Sequence, residues 1–284
     1  MLKLFVMNSK TIQNRIKFID IYKGIGIILM IMGHVYFGRN FDIYIHAFHM
    51  PMFFFISGFL FRCTDFKNFI SKKYFSLIVP YIKFGIFNFI MCCFLLPNFN
   101  IKKYIEHMFL FNNKTCLDIT GALWFLTCLF FLNVIYFFIN KYLKGKQAFL
   151  IYIFLAALMY FTKIRLPLSI DSAIYMLPVF YAGHMFKKLQ DKLDFMNCKI
   201  ANIAGIFLLL IFSYVLFKNG YVNVRCNSYS IITLFYVDAI CMSIGIYYLS
   251  KVIEKFNCTK FLEYCGYNSL NFMCLNQLVI FVLH

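Results

Sequence analysis

The chain has 284 residues, of which 62% are hydrophobic and 14% are charged, whereas a soluble domain is about 45–50% apolar and about 25% charged. This composition excludes an ordinary soluble protein and predicts an all-α, polytopic bundle of membrane helices. The formal net charge of +17 comes from basic residues placed between apolar runs. That arrangement predicts contact with anionic lipid headgroups and no nucleic-acid partner.

Nine apolar segments approach the length of about 17–25 residues that a membrane helix needs. The N-terminal apolar run is too short for a cleaved signal peptide, so the first segment is expected to be an uncleaved anchor. In chain order the nine predicted spans are approximately 18–38, 47–62, 74–97, 120–140, 147–163, 172–187, 200–218, 229–250 and 261–283.

The basic residues predict the orientation of these spans. If the N-terminus is cytoplasmic, the cytoplasmic segments hold 18 lysines and arginines and the opposite connections hold 8. Because cytoplasmic loops carry the excess of basic residues, we expect the N-terminus inside. The odd number of spans then places the C-terminus outside.

The first span contains the run "KGIGIILMIMGH", from Lys23 to His34. Eleven residues correspond to about three turns, so the two side chains share a face and stand about 16 Å apart. A charged residue at the centre of a membrane helix costs about 2.5–3.5 kcal/mol, which favours a function for the pair. In the alternative interpretation, Lys23 extends to the headgroups and His34 bonds to a neighbouring helix.

The second span begins with "IHAFHMPMFFFISGFLF". His46 and His49 stand near its outer end, so we expect them to converge with His34. Two histidines three residues apart could share a zinc ion, but Asp42 is the one nearby carboxylate, and we expect no metal.

Other polar residues lie inside the spans. Asp238 is predicted either to line a site or to pair with Lys83 or a backbone partner. Trp124 is predicted to be an interfacial anchor, and His184 to be structural. The polar residues of the last span are expected to bond between helices, with substrate contact as the alternative; they are Asn268, Ser269, Asn271, Asn276 and Gln277.

Several of these stretches together resemble the acyltransferase-3 family of membrane acyltransferases, in its fucose-acetylase and intercellular-adhesin branch. The family usually has ten spans, and many members have arginine in place of Lys23 and histidine in place of Asn276. The resemblance covers about residues 15–281 and is carried by "DIYKGIGIILMIMGH", "FHMPMFFFISGFLF", "FISKKYFSLIVPY", "GALWFLTCLF" and "FLEYCGYNSLNFMCLNQ".

The resemblance implies a single membrane acyltransferase-like domain over 1–284 in the cell membrane of a bacterium. Its reaction would move an acyl group, usually acetyl, from cytoplasmic acyl-CoA to a hydroxyl of a cell-surface glycan or of its lipid-linked precursor. Lys23, Lys72 and Lys73 would bind the donor. His34 would act as general base or accept the acyl group itself, and His49 would orient His34 or the acceptor.

Two other functions fit the same sequence. A polytopic transporter or exporter of a glycan or small solute would also bury polar residues in its spans. A catalytically inactive relative with a role in glycan assembly is the second alternative.

Overall fold

The computed structural model describes residues 16–63, 65–110, 112, 121–256 and 258–283. Two segments lie outside the described residues, 1–15 and 113–120. The signal-peptide expectation concerns the first, and the start of the fourth predicted span falls in the second. The described part is helical, with one isolated bridge between Asn223 and Ser228, and this confirms the all-α prediction. The helices are α1 Lys17–Val35, α2 Arg39–His46, α3 His49–Phe59, α4 Phe66–Lys73, α5 Val79–Leu95, α6 Ile101–Phe109, α7 Trp124–Tyr142, α8 Lys146–Thr162, α9 Ile170–Asn219, α10 Ile232–Ile253, α11 Lys260–Tyr267 and α12 Ser269–Leu283.

Four of the described helical segments are long and apolar enough to cross a membrane: α1, the combined Phe66–Leu95, α7 and α10. The pair α11 and α12 passes the same test together, but it is bent by 83°. Helix α8 and the stretch Lys199–Val215 are shorter apolar helices. The membrane helical bundle is therefore confirmed, while the number of nine crossings stays a prediction.

Helix α9 reverses direction within its own length. Its 50 residues would extend about 75 Å if straight. Yet Asp171, at its start, accepts a hydrogen bond of 3.0 Å from Asn227, and only eight residues separate Asn227 from the end of the helix at Asn219. Eight extended residues reach about 28 Å at most. The two halves therefore run in opposite directions, as expected for two predicted spans.

The connections between helices gather at two ends of the bundle. At one end Asn112 accepts hydrogen bonds from Ser169 at 2.7 Å and, through its backbone carbonyl, from Arg225 at 3.2 Å. At the opposite end Lys17 pairs with Glu263 at 3.3 Å. We call the first the His34 end, formed by the last turn of α1, α2, and the connections 163–169 and 220–231. The second is the Lys17 end, formed by the first turn of α1, the last turn of α10, and α11.

Three structural details differ from the predicted boundaries. The helix that holds the third predicted span begins earlier, at Phe66, because α4 continues through a π-helical turn, Tyr74–Ile78, into α5. The last span is broken at Asn268, where α11 ends and α12 begins. The segment 47–62 contributes a helix of only 11 residues, α3.

Small residues allow helices to touch backbone to backbone. A Cβ atom at Gly24 would collide with the carbonyl oxygen of Leu262 on α11. Between α3 and α9 the contact is reciprocal: a Cβ at Gly58 would collide with the carbonyl of Phe180, and one at Gly183 with the carbonyl of Phe55. Membrane helices associate through this kind of close packing.

We predict that Gly183→Ala destabilises the bundle by about 1–3 kcal/mol, because the added methyl group forces α3 and α9 apart. The measurement is the thermal unfolding midpoint of the detergent-purified protein. Ser71→Ala, at an exposed position of α4, is the control. Equal midpoints for the two variants would show that the α3–α9 contact is not tight.

Candidate functional site

Helix α1 borders one cavity near each of its ends. The cavity at the His34 end, the His34 cavity, has a volume of about 340 Å³. It lies between α1, α2, the start of α3 and α7, the connection 220–231 and α12. Its polar lining residues include His34, Asp42, His46, His49, Arg225 and Gln277.

The second cavity, the Lys23 cavity, has a volume of about 210 Å³. Lys23 is half-buried and lines it together with Ser57 of α3 and Ser269 of α12, among mostly apolar side chains. The sequence places Lys23 and His34 on one face of α1. In the fold they line different cavities, and both cavities are also lined by α12.

Met273 lines both cavities. It is 5% exposed, and Met30 of α1, which lines the His34 cavity, is 2% exposed. The Met30 sulfur accepts a hydrogen bond of 3.2 Å from Asn276 Nδ2, which ties α12 to α1 between the two cavities. A narrow, sulfur-lined region therefore separates Lys23 from His34.

The local fold decides which nitrogen of two histidines is open. Nδ1 of His46 lies 2.9 Å from the carbonyl oxygen of Asp42, and Nδ1 of His49 lies 2.8 Å from that of Ile45. A carbonyl oxygen only accepts, so in both rings Nδ1 carries the hydrogen and Nε2 is the open nitrogen. The two ring centroids are 5.1 Å apart. The predicted convergence of the histidines is seen in this cavity.

His34 is the second-last residue of α1, which ends at Val35 before Tyr36 takes a positive φ of 57°. Its side chain is exposed where it borders the cavity and makes no hydrogen bond to the described part of the chain. The alternative in which His34 bonds to a neighbouring helix is therefore not what the fold shows.

The other predicted donor residues lie away from the Lys23 cavity. Lys72 is exposed and Lys73 is half-buried, with the Lys73 ammonium 5.7 Å from the ring centroid of Phe69. Neither lysine lines the cavity, but Leu77, one turn after Lys73, does. Lys72 and Lys73 can contact the donor only if the donor extends from the Lys23 cavity past Leu77.

Two residues that line the His34 cavity have a buried acceptor oxygen without a partner among the described residues. Asp42 Oδ1 and Gln277 Oε1 make no hydrogen bond to any residue that the structure describes. An unsatisfied buried oxygen costs about 1–3 kcal/mol, so both atoms favour a ligand that brings hydrogen-bond donors. From the sequence, Asp42 was considered only as a possible metal ligand.

Arg225 and Trp124 also belong to the site, and the sequence did not place them there. Arg225 lies in a polar connection that has no helical periodicity to assign it to a face. The prediction of Trp124 as an interfacial anchor is wrong. The indole is 4% exposed and lines the His34 cavity, because the start of α7 packs against α3, with the Phe125 ring beside those of Phe53 and Phe54.

The remaining polar residues stay outside both cavities. Asp238 is fully buried, and its carboxylate makes no hydrogen bond to the described residues. Lys83 is exposed and forms no ion pair with Asp238, so the predicted pairing is wrong. His184 Nδ1 lies 2.6 Å from the hydroxyl of Tyr136, as suits a structural residue. Among the described side chains, no three of His, Cys, Asp or Glu form a metal-binding group.

A family model described as an acyltransferase domain matches residues 16–284 of the chain. Comparisons with curated proteins and with solved structures return no match. The particular branch within the family therefore stays a prediction. Because the match extends over nearly the whole described fold and both cavities, the chain belongs to the acyltransferase-3 family and is a membrane acyltransferase, which transfers groups other than aminoacyl groups.

Proposed function

We propose that the protein transfers an acyl group, usually acetyl, from acyl-CoA at the Lys17 end to a glycan hydroxyl at the His34 end. The observation that carries this proposal is the pair of cavities that share Met273, one with Lys23 and one with His34. A phosphate-bearing donor does not cross a bilayer unaided, because charged groups are costly in hydrocarbon. An enzyme that uses such a donor for a glycan on the other side needs a polar site near each membrane face.

The donor side uses cationic side chains. The Lys23 ammonium favours a phosphate or the thioester carbonyl, and Lys72 and Lys73 near the Lys17 end add positive charge for the nucleotide phosphates. Lysine acts here as a point charge and not as the two-pronged donor that arginine provides.

The acceptor side uses hydrogen-bond acceptors and a base. Asp42 Oδ1 and Gln277 Oε1 suit the hydroxyls of a sugar, since both lack a donor among the described residues. A neutral His34 takes the proton of the acceptor hydroxyl as its oxygen bonds to the acyl carbon. The thioester C–S bond then breaks, and the proton passes from His34 to the departing thiolate. His49, with Nε2 open, orients the acceptor or His34.

A second route keeps the same residues. His34 would take the acyl group first, release the thiol, and then pass the acyl group to the hydroxyl. This route suits a separation of about 16 Å between Lys23 and His34, because the acyl group then needs to reach only the imidazole.

We place the protein in a bacterial cell membrane with its N-terminus cytoplasmic, because the segments on that side would hold 18 basic residues and the opposite connections 8.

The test of the proposed function uses proteoliposomes with sidedness verified by protease digestion. Labelled acetyl-CoA is supplied on the Lys17 side and an oligosaccharide on the His34 side. We expect labelled oligosaccharide and free thiol. Movement of oligosaccharide without thiol release would favour a transporter, and neither result would favour an inactive relative.

We predict that Lys23→Ala raises the KM for acetyl-CoA about tenfold or more and changes kcat less, because its partner is a charged group of the donor. Lys23→Arg retains activity. Steady-state kinetics of thiol release measure both constants, with Lys83→Ala as the exposed lysine control on α5. An unchanged KM in Lys23→Ala would show that this lysine only extends to the headgroups.

We predict that His34→Ala and His34→Gln lower kcat by about 10²–10⁴-fold, the usual contribution of a positioned base. Folding should be retained, because the side chain makes no hydrogen bond to the described residues. His107→Ala on α6 controls for the loss of a histidine at the same end. Wild-type rates in both His34 variants, at equal membrane levels, would remove His34 from the reaction.

A further inference from the structure

A third cavity lies beside the His34 cavity and outside the site described above. It has a volume of about 320 Å³ and is enclosed by the end of α8, the connection 163–169, the start of α9 and the connection 220–231. We call it the Tyr160 cavity. Its main lining residues are Tyr160, Lys163, Arg165, Tyr175, Cys226 and Tyr229.

One residue, Cys226, lines both this cavity and the His34 cavity. It lies in a short loop closed by the bridge between Asn223 and Ser228, with N–O distances of 2.9 and 3.0 Å. Inside the loop, the Cys226 amide donates to Asn223 Oδ1 at 3.0 Å, and the Arg165 guanidinium donates to the Cys226 carbonyl. This well-bonded loop lies between the two cavities, so neighbouring units of one elongated ligand can lie on either side of it.

The Tyr160 cavity carries positive charge. Arg165 is paired with the fully buried Asp171 at 3.5 Å. Lys163 is exposed and forms no ion pair with a described residue. Burial raises the pKa of Tyr229 well above its usual value, so this phenol stays neutral. Arg225 adds a further cation on the far side of the loop.

We propose that the Tyr160 cavity binds an acidic sugar unit next to the one whose hydroxyl is acylated, so that the acceptor is an acidic glycan. This proposal rests on the proposed function in one respect: the His34 cavity must hold the acceptor. Tyrosine rings offer apolar faces to the C–H side of a sugar and hydroxyls to its polar groups. Lys163 supplies the unpaired charge that selects an acidic unit.

The same anionic chemistry could come from a lipid headgroup at this end of the bundle. Two features of the cavity favour the sugar. The cavity adjoins the acceptor site at Cys226, and aromatic residues line it around the charge: Tyr160, Tyr175 and Tyr229. A headgroup would need only the cation and would gain nothing from the neighbouring acceptor site.

The test compares binding of a hexuronate tetrasaccharide with that of its carboxyl-reduced, neutral counterpart to the full chain in nanodiscs of zwitterionic lipid. We expect about two- to fivefold tighter binding of the acidic form, in the range of an exposed ion pair, and a weaker preference at high salt. Lys163→Asn should abolish the preference and Lys163→Glu should reverse it. Lys163 has a φ of 52°, a conformation that asparagine adopts readily, so the first variant should fold.

Lys102→Asn, at an exposed lysine of α6 at the same end, is the matched control and should keep the preference. Equal binding of both saccharides, or an unchanged preference in Lys163→Asn, would overturn the proposal. Lys163-dependent binding of phosphatidylglycerol vesicles without a saccharide preference would also overturn it and assign the cavity to a headgroup.

Because the readout is binding, charge selectivity without acyl transfer would support the acidic-glycan site while the proposed function fails. Transfer without selectivity would do the reverse.

Discussion

The packing of the bent α11–α12 pair against α1 determines the shape of the site. Gly24 of α1 and Gly266 of α11 each lack the Cβ that would collide with the carbonyl of the other helix, at Leu262 and Asp20. This contact holds α11 across the first turns of α1. The 83° bend then directs α12 along α1 toward the His34 end. Without the bend, Met273 and Gln277 could not line cavities beside α1.

A second constraint comes from backbone hydrogen bonding at the break between α2 and α3. The two helices are interrupted at Ala47 and Phe48, and His46 and His49 each bond a carbonyl four residues earlier. In a membrane bundle, unpaired backbone groups are costly, and the Ile45 carbonyl also accepts the Phe48 amide at 3.2 Å. The imidazoles add a second donor at this break, and the same hydrogen bonds hold the rings with Nε2 open. Local structure and chemistry therefore depend on the same two hydrogen bonds.

Sequence periodicity predicted the long apolar helices well, because membrane helices have a strong compositional signal. The predicted spans 18–38, 120–140 and 229–250 correspond to α1, α7 and α10. Periodicity also placed Lys23 and His34 on one side of α1. It could not predict the break at Asn268 or the fusion of α4 with α5, since both follow from packing against other helices.

The polar connections were the least predictable part of the site. Arg225 and Cys226 meet the histidines only because α9 reverses and returns the chain to the His34 end. Tyr160 and Lys163, about 60 residues earlier in the sequence, approach the same loop from α8. No spacing in the sequence joins these residues, so the Tyr160 cavity is visible only in the folded chain.

In the proposed function, the region between the two cavities decides how donor and acceptor can meet. Met30 and Met273 are nearly fully buried there, and Asn276 holds the Met30 sulfur. Methionine side chains are flexible and fill irregular gaps, so they close the path to solutes yet yield to a short, apolar group. An acetyl group is of that kind, whereas a sugar or a phosphate is not. In the proposed function, this packing would admit the acyl end of the bound thioester and exclude the rest of the donor and the sugar, which is the property that a transferase needs and a transporter of glycans lacks.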